Sequence, residues 1–263
     1  MNGYFKKLSA FLALFLALGF GISCVRPGSM QQKLNADPDE VALRLWNNRE
    51  ALHSFTASGY VSVRSPEANV RLDIALAWVK DTGARLDLLS PFFTPLVAMV
   101  YKKGELKILD HRVGRIQEAS PDYLRTLIGM DVNTDILFEL LSGLPKLPQK
   151  GFIVIPASEK KKNRKISWFF VKDPGYSLSW RIGFDATVGI LTRADLCNNE
   201  KIGSDDKRDV VLSMRTFNPE VIGNVVIPKR IHLQDGGETR SLNIVYETIE
   251  PNVTVDERIF SLD

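Results

Sequence analysis

Three histidines (His53, His111, His232), two cysteines (Cys24, Cys197) and 31 Asp and Glu residues are the side chains with which this 263-residue chain could do acid–base, nucleophilic or metal chemistry. Their spacing favours none of it. No two histidines stand at metal-ligand spacing and neither cysteine lies near one. Gly-x-Ser-x-Gly, His-Glu-x-x-His and Gly-x-Gly-x-x-Gly are absent. His111 sits between Asp110 and Arg112 at an expected turn. Cys197 has Asp195 and Glu200 for neighbours, the wrong charges for a reactive thiolate, and reads as structural. A carboxylate-only hydrolase stays open, but no residues stand out for it. The chain therefore reads as a non-enzyme with no metal and no cofactor. The balance of 34 Lys and Arg against 31 acidic residues gives no basis for nucleic-acid binding.

The most reactive position by context is Cys24. Residues 1–23 contain no Asp or Glu; Lys6 and Lys7 precede an apolar run from Leu8 to Ile22, which ends at Gly21-Ile22-Ser23-Cys24. Basic start, apolar centre and small residues at the cut are the layout of a secretory signal peptide. The run is short for a membrane span, which needs about 20 residues. Small residues leading into a cysteine resemble a bacterial lipobox, although Gly21 stands where Leu is usual. That resemblance implies acylation of Cys24, and Val25 after it implies outer-membrane sorting. Several acyl chains hold where one does not. Removing Lys6 and Lys7 with the leader takes the net charge from +3 to +1. The expected organisation is a signal peptide over 1–23, a lipidated tether over 24–36 and one domain over 37–263.

That domain opens with a helix over 38–53: Asp37 as N-cap, Pro38 at the first helical position, Glu40 in the first turn, then Val41, Leu45, Trp46 and Leu52 at helical spacing. Strict alternation follows in Val70, Leu72, Ile74, Leu76 and Trp78, a strand with one apolar face. Strands are also expected at 56–64, 84–90, 95–102, 105–110 and 112–118. Helices near 121–128 and 134–142 interrupt the series, the second stopped by Gly143 and Pro145. Strands resume at 151–156, 165–172, 177–185, 188–195, 208–217, 225–234 and 239–248. The basic run 160–165 reads as a solvated hairpin tip. With no βα alternation the sheet should be antiparallel, and a sheet this large must curl or split. The fold class expected is mainly β (α+β).

Leu89-Ser90-Pro91-Phe92-Phe93-Thr94-Pro95-Leu96 places two large aromatics between two prolines that interrupt a sheet ladder. Phe92 and Phe93 either fold back into the core or form a protruding apolar tip.

At this point the chain resembles the LolB family of outer-membrane lipoprotein acceptors and the wider LolA/LolB fold. Residues 70–78, Arg85-Leu86-Asp87-Leu88-Leu89-Ser90-Pro91-Phe92, residues 123–130 ending in Gly129-Met130, and residues 137–141 followed by Gly143-Leu144-Pro145 carry the resemblance. It covers about residues 40–148. It departs where Phe92-Phe93-Thr94 replaces a usual Leu-Gly. The resemblance implies an unclosed antiparallel β-barrel of about 11 strands with a helical lid and an N-terminal helix, acting as a monomer. It implies that lipoprotein acyl chains arrive from a periplasmic LolA-like carrier and leave for outer-membrane lipid. It places Phe92, Phe93 and Leu96 on a membrane-insertion loop. Val70, Leu72, Ile74, Leu76, Trp78, Leu124, Leu127, Ile136 and Leu140 would line an acyl-chain cavity, although the same pattern fits a filled core. A non-transporting envelope lipoprotein, an interaction subunit or sensor on the same fold, is the alternative.

Overall fold

The computed structural model describes residues 37–120, 123, 129–130, 134–145, 153–156, 166–172, 178–185, 189–198 and 210–262. Cys24, Leu124, Leu127 and the basic run 160–165 lie outside them, as does most of the helix expected near 121–128.

Helix α1 (Pro38–Ala51) starts where its cap chemistry dictates. The Asp37 carboxylate accepts the Asp39 N–H at 3.1 Å, and Pro38 fills a position whose N–H needs no partner. Val41 and Leu45 form its buried stripe. Asn48 fastens it to the sheet twice: its amide donates to the Val226 carbonyl (3.0 Å) and its oxygen accepts the Val226 N–H (2.8 Å).

Thirteen strands follow: β1 (Ser54–Arg64), β2 (Asn69–Val79), β3 (Gly83–Leu89), β4 (Pro95–Lys102), β5 (Glu105–Asp110), β6 (Arg115–Ala119), β7 (Ile153–Pro156), β8 (Ile166–Lys172), β9 (Leu178–Asp185), β10 (Ile190–Asn198), β11 (Val210–Ile222), β12 (Val225–Asp235) and β13 (Ser241–Pro251). They form one antiparallel sheet in the order β6-β5-β4-β3-β2-β1-β13-β12-β11-β10-β9-β8-β7. The expected architecture holds, with 13 strands where about 11 were anticipated. The chain meanders outward from β1 to β6, crosses to the far edge at β7, and meanders back until β13 pairs with β1. The two free edges are thus β6 and β7, and the segment joining them carries helix α2 (Thr134–Leu140).

The seam between β1 and β13 holds the two halves together. Its register shifts between Ser58 and Gly59, a bulge that bends the sheet. A Cβ on Gly59 would stand 2.0 Å from the Val245 carbonyl oxygen, so only glycine permits this approach.

Inward side chains from both halves, including Phe55, Leu76, Trp78, Ile182, Met214 and Ile231, form one buried cluster. Strand β4 buries three successive residues, Ala98, Met99 and Val100, because both its faces are covered. Met99 joins the main core, whereas Ala98 and Val100 join Phe260 and Leu262 in a second, small cluster. The C-terminal segment reaches that outer face through a 3₁₀ turn at Glu257–Phe260, and Arg85 donates to the Ile259 carbonyl at 3.1 Å while pairing with Asp87.

Gly59→Ala should cost about 2–3 kcal/mol of unfolding free energy, or prevent folding, because backbone opposes the new methyl group. Gly104→Ala, where the added carbon meets nothing, should cost about 1 kcal/mol through its positive φ alone. Urea denaturation of the two variants checks the difference.

Candidate functional site

The β3–β4 connection is a small, fully hydrogen-bonded turn. Phe93 N–H donates to the Ser90 carbonyl (2.8 Å), with Pro91 between them pre-set for the first corner position. Ser90 N–H then donates to the Thr94 carbonyl (2.9 Å). The Ser90 hydroxyl oxygen accepts from the N–H groups of Phe92 (3.3 Å) and Thr94 (3.2 Å). Phe93 sits in the left-handed region at φ +57°, the bulge position that usually falls to glycine. Phe92 is 88% exposed and Phe93 74%. The aromatics therefore stand out from the sheet and do not fold back. Leu96 is not on the tip: it is half-buried inside β4, where its carbonyl accepts the His111 N–H at 3.0 Å.

Magnitudes make this tip hard to assign to folding. A buried Phe contributes about 1.5–3 kcal/mol, and both rings forgo it. A non-glycine residue in the left-handed region costs about 1–2 kcal/mol besides.

The inner face carries a docked helix. Phe138 of α2 stacks on Tyr101 of β4, ring centroids 5.2 Å apart and 8° from parallel. Tyr246 of β13, fully buried, donates its phenol to the Leu141 carbonyl at 2.7 Å. Burial pushes that phenol far above the usual tyrosine range, so it stays protonated as a donor. Glu139 faces Arg49 of α1 at 3.9 Å. Gly143 ends this segment at φ +77°, where a Cβ would lie 2.2 Å from the Pro228 ring. Gly129, at φ +68°, abuts the Arg240 side chain, and Met130 after it is buried. The Gly-Met and Gly-Leu-Pro motifs thus each supply a glycine that no other residue replaces without strain.

The residues expected to line a cavity divide into groups. Ile74, Leu76, Trp78 and Leu140 are buried in the closed core beneath α2. Leu72 and Ile136 are half-buried against it. Val70 is 42% exposed, which corrects its inward assignment. Leu89, the last residue of β3, pairs with Asp73, so Val70 runs past the end of that neighbour and is flanked only by Val63 of β1.

The cavity of the inner side lies elsewhere. About 460 Å³ opens between α1 and the β9–β12 half, walled by Leu45, Ala51, Leu144, Phe184, Leu191 and Pro228, with Arg44, Asn47 and Asn48 among its polar lining. That volume is in the range of small-ligand sites. None of the expected lining residues that are described borders it. Its walls come from five separate elements, and no sequence window contains them together. A second groove of about 500 Å³ runs over the outer face along Thr56, Ser58, Ala75, Ala77, Thr248 and Glu250, beside Ile259.

Catalytic geometry does not assemble around the titratable residues. His53 is exposed beside Asn252, and His111 is exposed at the β5–β6 turn. His232 is half-buried, and burial together with Arg215 and Arg230 pushes its pKa below the usual value. Among the described residues no three His, Cys, Asp or Glu side chains form a metal-holding group. Cys197 is buried, and its thiol donates to the Asp195 carbonyl at 3.6 Å. Asp195 beside it is fully buried on the outer face, held by Arg181 (2.8 Å), Arg193 (2.8 Å) and the Ser213 hydroxyl (2.5 Å). Every buried charge there has an opposite partner, the arrangement of a structural network.

No protein-family model and no curated protein matches the chain by sequence. Solved structures do match by shape. A domain from Vibrio parahaemolyticus assigned to outer-membrane lipoprotein sorting superposes with a TM-score of 0.59 at 9% identity, over 85% of this chain and 97% of that one. A LolA superfamily protein from Nitrosomonas europaea gives 0.56 at 11% identity, over 85% and 97%. A DUF1329 family protein from Desulfovibrio piger gives 0.61 at 9% identity, over 86% and 96%. The chain shares their fold: an unclosed antiparallel sheet with helices on its inner side.

Tyr246→Phe removes the partner of the buried Leu141 carbonyl and leaves the ring in place. It should cost about 1–2 kcal/mol in urea denaturation.

Proposed function

We propose that the protein is an envelope lipoprotein that receives acyl chains of lipidated proteins and passes them into the outer membrane, anchored there through Cys24 on the periplasmic face. The carrying observation is the pair Phe92 and Phe93, 88% and 74% exposed on a rigid tip of an unclosed sheet whose apolar inner face is covered by a docked helix. The fold shared with a lipoprotein-sorting domain supports this reading.

The energetics suit transfer. Each sheltered CH₂ is worth about 0.8 kcal/mol, so a 16-carbon chain gains about 12 kcal/mol on leaving water. Leu137, Phe138, Leu140 and Leu141 bury against the sheet, and at about 1.5–3 kcal/mol each they hold the helix with about 6–12 kcal/mol. An acyl chain can displace the helix from the inner face, and the helix can displace the chain. Near balance favours a handover over tight storage. A LolA-like periplasmic carrier would supply the chain, and the Phe tip would open the bilayer to receive it. Nothing in this sequence of events calls for catalysis, a metal or a cofactor.

One observation favours a second reading. The inner face under α2 is filled, as it would be in a non-transporting interaction subunit or sensor of the envelope.

The double variant Phe92→Glu/Phe93→Glu should fold, accept an acyl chain and fail to deliver it to outer-membrane vesicles. Normal delivery by that variant overturns the loop assignment. Native mass spectrometry separates the two readings: bound lipid is expected here, whereas one stoichiometric protein partner and no lipid supports the interaction subunit.

A further inference from the structure

The β5–β6 turn is the immediate neighbour of the Phe tip, and it is built in the same way. Strand β4 enters the sheet from the Phe92–Phe93 loop, and β5 leaves it at the same end, with Val97 opposite Asp110. The His111 N–H donates to the Leu96 carbonyl, two residues from the Phe loop. Two strand spacings put the tips about 10 Å apart. At the head of the second turn Val113 is 70% exposed, and Ile116 behind it is 44% exposed.

This turn is rigid and solvent-facing. Val113 N–H donates to the Asp110 carbonyl (3.3 Å), and the Asp110 carboxylate takes the Arg112 N–H (2.9 Å) and guanidinium (2.6 Å). Those bonds hold the Asp110 carboxyl down at about 2, so the ion pair persists through mild acid. A Cβ on Gly114 would meet nothing within 4 Å among the described residues. Charge counting decides what it faces. Arg112 cancels Asp110, which leaves the charge of the exposed Arg115, with the exposed His111 ring nearby, beside an exposed valine. Apolar tips with a cation and a ring N–H donor set just behind them match the boundary between acyl chains and anionic headgroups.

We infer that the β5–β6 turn is a second bilayer-contacting element: Val113 enters beside Phe92 and Phe93, and Arg115 and His111 engage anionic phospholipid headgroups. The inference rests on the membrane role of the Phe tip given above. It adds a second point of contact, which fixes how the molecule tilts on the surface, and a preference for anionic lipid.

The test uses the full chain with Cys24→Ala and Cys197→Ala, so that an environment-sensitive dye attaches only to one introduced thiol. Three positions are labelled in turn: Val113→Cys, Phe92→Cys, and Val221→Cys, an exposed site on the β11–β12 turn at the opposite end of the sheet. Vesicles are phosphatidylcholine alone or with about a quarter phosphatidylglycerol. The expected result is a blue shift and quenching by spin-labelled lipid at 113 and 92, with none at 221. Arg115→Gln should weaken binding to anionic vesicles about fivefold and leave neutral vesicles unaffected. A dye at 113 that stays in water while the dye at 92 inserts overturns this inference alone. If neither inserts, the membrane role of the Phe tip fails with it. An Arg115→Gln variant that binds both vesicles as before overturns the headgroup contact. Protection of position 113 by a carrier protein, with no response to vesicles, assigns the turn to a protein surface and overturns the proposal.

Discussion

An antiparallel sheet whose edges never meet must cover one apolar face with something other than itself, and that requirement organises this molecule. The outward and returning meanders meet at β1 and β13, which pushes the free edges to β6 and β7. The connection between those edges carries α2, which packs on the inner face. The Phe138–Tyr101 stack and the Tyr246–Leu141 hydrogen bond are among the contacts that fix this coverage. Around them the glycines at 59 and 143 permit approaches that no side chain allows.

The same constraint separates two kinds of apolar residue. Those beneath α2 are used twice in the proposed cycle, once against the helix and once against an acyl chain. Phe92 and Phe93 are not used by the fold at all. Their turn is held by four hydrogen bonds centred on Ser90, and it keeps a phenylalanine at φ +57° where glycine would relieve strain. A stable exposed aromatic pair at a backbone cost suits the proposed membrane contact, because a bilayer accepts two rings without any matching pocket.

Much of this was legible in the residues. The alternation from Val70 to Trp78 predicts a strand over 69–79, and β2 has those bounds, because a period of two with a turn at each end leaves no other register. The Asp37-Pro38-Asp39-Glu40 cap places the start of α1 for an equally local reason. What escaped is what depends on neighbours. Val70 continues the apolar alternation but outruns β3, so it is exposed. Leu96 reads as part of the loop but already lies in β4, at the bulge against β3. The cavity beneath α1 draws Leu45, Phe184, Leu191 and Pro228 from distant segments, and its existence follows from how a helix seats on a sheet. Whether the inner face is filled or open could not be read from a hydrophobic pattern, since both states use the same residues.

The central claim is that α2 and an acyl chain compete for one apolar face. Hydrogen exchange of the amides from Leu137 to Leu141, measured on the full chain with and without a triacylated lipopeptide, tests it most directly. Competition predicts that these amides lose protection when the lipopeptide binds, while β12 and β13 keep theirs. Unchanged or increased protection of the same amides, with the lipopeptide demonstrably bound, would contradict it.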